Sequence, residues 1–113
     1  MSDPTELCFL SAVEALALIR ARKLSPVELV DAAIARAEAL QPKLNAFVTT
    51  LFDQARERAR ALEAELARGG PVRPLHGLPV TLKDLLFTKG IPTKAGSWIF
   101  ADRVPEVDAP VVE

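Results

Sequence analysis

The tripeptide Gly69-Gly70-Pro71 sets the strongest limit on how this chain can fold. Two residues that tolerate left-handed backbone, followed by one that cannot continue a helix, end any helix arriving from the N-terminal side. Ahead of that break, over about residues 10–70, apolar residues recur at helical steps. Behind it, over about 71–107, Gly77, Gly90, Pro92, Gly96 and Pro105 allow only short extended or turning pieces. The chain therefore reads as a helical segment followed by a strand-and-loop segment.

Two helix starts are written the same way. In Ser11-Ala12-Val13-Glu14 and Ser25-Pro26-Val27-Glu28, serine precedes glutamate by three residues, so each side chain can satisfy the other's orphan backbone amide. Pro26 suits the first helical position, where its missing N–H costs nothing. The first helix is expected to run to about Arg22. The second, with Val27, Val30, Ile34 and Ala37 on one face, is expected to close at about Gln41, ahead of Pro42. Ala46-Phe47-Val48-Thr49 is rich in strand formers and reads as a brief extended link or edge strand. A third helix carries the apolar stripe Phe52, Ala55, Ala59, Leu62 and Leu66, which is expected to pack inward. Its opposite face, Arg56, Glu57, Arg58, Arg60, Glu63 and Glu65, is a solvated mixed-charge surface. Asp108-Ala109-Pro110 has the residue types that open a further helix from 108.

Composition removes several function classes. Half of the residues are apolar and the formal charge is −1, which argues for a packed chain and against phosphate tracking, so nucleic acid is not expected as a ligand. The single cysteine, Cys8, lies in a terminus expected to fray; it excludes an internal disulfide framework and fits a cytoplasmic protein. The acidic N-terminus and the charges around the first apolar run give no leader and no membrane span. One histidine, His76, and no Cys-x-x-Cys leave no basis for a metal site, and no phosphate-binding glycine motif suggests a cofactor. Residue types would permit a triad of His76, Ser97 and Asp84, but His76 lies between Leu75 and Gly77, where hydrogen bonding within a turn is the simpler role. Ser97 likewise reads as a backbone-capping serine.

The remaining chemistry converges on Lys83. Leu78, Val80 and Leu82 alternate with Pro79, Thr81 and Lys83, so a strand would place the lysine opposite the aliphatic side chains. An ammonium at the end of an apolar strand loses hydration, which disfavours its charged form, while the adjacent Asp84 opposes that effect.

The run Gly77-Leu78-Pro79-Val80-Thr81-Leu82-Lys83-Asp84, preceded by Pro74-Leu75-His76 and followed by Lys89-Gly90-Ile91-Pro92-Thr93-Lys94-Ala95-Gly96-Ser97, resembles the N-terminal part of the amidase signature family. Lys94 departs from it, since the family more often carries Thr or Ser there. The resemblance implies an α/β fold in which N-terminal helices accompany the first strands of a mixed sheet, incomplete in residues 1–113. It implies that Lys83 is the catalytic lysine of a Ser-cisSer-Lys triad and that the substrate is a small-molecule amide, hydrolysed through an acyl-enzyme. The family's glycine- and serine-rich loop, which bears both serines and the oxyanion donors, has no counterpart here. The 113 residues alone are therefore expected to be inactive, and Val80, Leu82, Ile91, Trp98 and Phe100 to be covered by another copy or by further parts of the enzyme.

Two other readings stay open. The same lysine serves the amidase-like subunit of a tRNA-dependent amidotransferase, which releases ammonia from glutamine, although Ala95-Gly96-Ser97-Trp98 is more similar to a stand-alone amidase. A non-catalytic helical interaction module would use residues 10–70 alone.

Overall fold

The computed structural model describes residues 3–113, as four α-helices and one 3-10 turn. The chain divides into a unit ending at Pro79 and a second, Val80–Glu113.

The first unit contains α1 (Pro4–Leu7), α2 (Ala12–Arg20), α3 (Pro26–Leu44) and α4 (Phe52–Ala67). The short α1 stands in place of the expected frayed terminus: Asp3 accepts the Thr5 amide at 2.8 Å and Pro4 occupies the first turn. Both predicted capping boxes form. Ser11 and Glu14 cap α2 reciprocally, and Ser25 and Glu28 do the same for α3, where the Ser25 hydroxyl also bonds the Glu63 carboxylate of α4. α2 stops two residues before the expected Arg22, because Arg22 itself takes left-handed backbone at φ 56°. Lys23 N–H then reaches back to the Leu18 carbonyl, and the Arg22 guanidinium donates to the Leu66 carbonyl at 2.7 Å. A non-glycine residue here gives the sequence no stop signal.

α3 also departs from expectation, continuing through Pro42 to Leu44. A proline in the last turn removes one helical donor without ending the helix; Asn45, left-handed at φ 46°, ends it instead and donates to the Gln41 carbonyl. Ala46–Thr49 forms no strand. The Gln41 side-chain amide takes the place of a strand neighbour, donating to the Phe47 carbonyl at 2.8 Å and accepting the Phe47 N–H at 3.1 Å.

α3 packs against α4 and against α1. Ala15, Ile19, Leu24, Leu29 and Leu66 form one apolar cluster, and Val30, Ile34 and Ala59 a second. The α4 stripe turns inward as expected: Ala59 and Leu66 are buried and Phe52, Ala55 and Leu62 half-buried. Ile19 is fully buried, a gain of about 1.5–3 kcal/mol in transfer free energy. α4 ends as Gly69 at φ 73° lets the Gly70 amide bond the Glu65 carbonyl.

The α/β expectation holds only for its helices, because no strand occurs among the described residues. Pro79–Leu82 has strand-forming residues but no backbone partner, and extended chain without a ladder is not a sheet. At the far end, Val112 and Glu113 both donate to the Ala109 carbonyl, closing a single turn in place of the expected helix from 108.

Candidate functional site

Lys83 lies in irregular chain at the start of the second unit and is exposed, so these residues do not supply the desolvation that a strand exit would give it. Its carbonyl accepts the Leu86 amide at 3.0 Å, turning the chain just after it. No carboxylate pairs with its amine among the described residues.

Asp84 faces a different group from the one its sequence position suggests. Its Oδ1 accepts the Lys94 amide at 3.2 Å and its main-chain carbonyl accepts the Ala95 amide at 2.9 Å. Its Oδ2 is buried and meets no donor among the described residues. The gripped segment is a tight turn: Ala95 and Gly96 are both left-handed, at φ 52° and 63°, and Ser97 N–H donates to the Lys94 carbonyl at 3.0 Å. Gly96 adopts this backbone freely, whereas alanine does so at a cost. Ser97 then accepts the Ile99 amide at 3.3 Å and opens the 3-10 turn Trp98–Phe100, which is the capping role expected of it.

Behind this turn the chain folds back on itself. Thr93 N–H donates to the Arg103 carbonyl, Gly90 N–H to the Pro105 carbonyl and Ala109 N–H to the Phe87 carbonyl. Arg103 closes the arrangement. Its guanidinium lies 4.8 Å from the Phe87 ring centroid and 4.2 Å from that of Phe100, and its Nε donates to the Thr93 carbonyl at 2.9 Å. Thr93 is buried, at 2% exposure. The outer surface is apolar: Trp98 is 95% exposed, and Val80, Leu82, Leu85 and Ile99 are also exposed. Of the residues expected to be covered, only Ile91 is half-buried within the unit.

His76 belongs to the first unit and does what a turn histidine does. It is buried, and its Nε2 donates to the Leu62 carbonyl at 2.9 Å, tying the Pro74–Gly77 turn to α4. Next to it, Gly77 at φ 78° cannot be replaced without strain, since a Cβ would lie 2.8 Å from Pro26 Cγ. His76, Ser97 and Asp84 are thus each committed to backbone groups elsewhere. Cys8 Sγ contacts the Pro4 carbonyl at 3.5 Å, one turn back at the same short helix. No group of three acidic, histidine or cysteine side chains among the described residues could hold a metal, and no helix there is long and apolar enough to cross a membrane. In the first unit, Ala33, Ala37, Leu40, Leu44 and Phe47 line an apolar cleft of about 220 Å³.

Sequence reasoning finds Lys83 but misses the grip of Asp84 on residues 94 and 95 and the stacking of Arg103. Neither contact leaves a local signal, because each joins residues about ten positions apart with no periodicity between them.

A family model described as Amidase matches residues 28–113. Over its whole length the chain is 47% identical to the amidase-like subunit of the glutamyl-tRNA(Gln) amidotransferase of Anaeromyxobacter dehalogenans, of which it spans 23%. It is 38% identical to the putative amidase AmiD of Mycobacterium bovis, with 97% of this chain and 23% of that protein aligned. Among solved structures it superposes on a bacterial aryl acylamidase of the amidase signature enzymes with a TM-score of 0.80 and 35% identity, covering 88% of this chain and 21% of the other. The chain therefore spans under a quarter of the length of these relatives.

Proposed function

The chain belongs to the Amidase family, and from that premise we propose that these residues form the lysine-bearing N-terminal part of a cytoplasmic amidohydrolase, with Lys83 as its base. The supporting observation is that Lys83 sits in the family-like Gly77–Asp84 run and is unpaired with any carboxylate among the described residues. A carboxylate partner would hold the amine as an ammonium ion, which cannot accept a proton.

In the proposed reaction the neutral Lys83 amine takes the proton of one serine hydroxyl, which deprotonates a second serine. The second serine's oxygen bonds to the amide carbonyl carbon, the C–N bond breaks, and the leaving amine takes the proton. Water then cleaves the acyl ester and returns the serine. Both serines and the oxyanion donors belong to polypeptide other than these 113 residues. The exposed apolar side chains around Trp98 support association of this unit with that polypeptide or with a second copy.

The identity to an amidotransferase component favours a second reading, in which the amide cleaved is that of glutamine. The two are separated by substrate. In an enzyme of the relatives' full length, Lys83→Ala should lower kcat by about 10² to 10⁴-fold, measured as nitroaniline release from p-nitroacetanilide and as ammonia release from glutamine. Hydrolysis of the anilide supports a stand-alone amidase, and hydrolysis of glutamine alone supports the amidotransferase reading. Full activity of Lys83→Ala, or lysine-dependent turnover by the 113-residue chain on its own, would overturn the proposal.

A further inference from the structure

We propose that Asp84 is a positioning residue that sets the backbone bearing Lys83 by gripping the Lys94–Ser97 turn; this rests on the reading of Lys83 as the base. Three hydrogen bonds converge on the two residues. The Lys83 carbonyl accepts from Leu86, the Asp84 carbonyl from Ala95, and Asp84 Oδ1 from Lys94. One residue thus holds two consecutive amides of a segment ten positions away, with its main chain and its side chain together.

The held segment needs holding. Ala95 stands at φ 52°, and a left-handed alanine persists only where its surroundings over-determine it. Asp84 supplies acceptors for the amides at and immediately before that residue. A carboxylate is the suitable side chain, since its charge strengthens the bond to a backbone N–H. The alternative use of a carboxylate beside a lysine is as its counter-ion. The geometry points away from it, because Oδ1 is taken up by an amide and no ion pair joins Asp84 to Lys83 among the described residues. Asp84 therefore steadies the base's attachment without fixing a proton on it.

The test is made in the full-length enzyme with p-nitroacetanilide and glutamine as probes. Asp84→Ala should lower kcat by about 10²-fold with KM little changed, as a small displacement of a reacting group does. Asp84→Asn, which keeps an acceptor for the Lys94 amide but not the charge, should recover the greater part of kcat. Hydrogen exchange at the amides of Lys94 and Ala95 should accelerate in Asp84→Ala and stay near wild type in Asp84→Asn. If Asp84→Ala does not fold, Asp84→Asn decides alone: kcat lost with both amides still protected would make the charge, not the grip, the active property and overturn the proposal. Wild-type kcat in Asp84→Ala would overturn it as well. Failure of the parent reading shows separately, as a Lys83→Ala enzyme that still turns over.

Discussion

Up to Pro79 the chain is held by hydrocarbon: every buried apolar side chain in its two clusters lies on or next to α2, α3 or α4. In Val80–Glu113 the buried residues are a threonine and a proline, Thr93 and Pro105, and the shape is kept by backbone hydrogen bonds and one guanidinium between two rings. The difference shows how a family can combine a support that tolerates many aliphatic substitutions with a lysine-bearing loop that does not. An apolar cluster accepts side chains of similar volume, whereas the loop depends on particular donors and acceptors at particular distances.

The largest effect expected from this contrast is in the first unit. Ile19→Ala should cost about 2–5 kcal/mol by the loss of a fully buried side chain, read as a fall in the urea midpoint of the helical circular dichroism. Arg103→Ala should cost less, about 1–2 kcal/mol, from the two ring contacts and the bond to the Thr93 carbonyl. It should appear as faster hydrogen exchange at Thr93 and Gly90 while the helical transition stays in place. Arg103→Lys should not restore protection, because an ammonium lacks the flat face that lies over Phe87 and Phe100. If Arg103→Ala moved the helical transition as far as Ile19→Ala does, the contrast would be broken.

The smallest effect concerns pH. The Ser11 hydroxyl, and after it the Ser11 amide, hold the Glu14 carboxyl below the usual glutamate range. A depressed folded value means the contribution is present above the unfolded value, about 4.3, and is lost as pH falls through the folded one. Acidification across that window should therefore loosen the first turn of α2, seen as exchange at the Glu14 and Ala15 amides, and Glu14→Gln should remove most of the pH dependence.

The contrast also explains what the sequence could reveal. Capping boxes and stripes repeat every three or four residues, so Ser11, Ser25 and the Phe52–Leu66 face identify three helices from local pattern alone. Their far ends are less legible, because Arg22 and Asn45 take left-handed backbone that a glycine would have announced. Lys83 is legible through its motif, yet its expected strand does not form, since a strand needs a partner and a single segment cannot disclose one. The Asp84 grip is hidden because the acceptors come from one residue and the donors from a turn with no pattern connecting them.

The Gln41 clamp on Phe47 has a consequence for how this protein behaves in crowded solution. Ala46–Thr49 is the kind of short, strand-prone stretch to which a foreign chain can add itself through free amides and carbonyls. With both main-chain groups of Phe47 taken by one glutamine side chain, that docking register is already filled. Gln41 thus acts as a molecular stopper against templated aggregation.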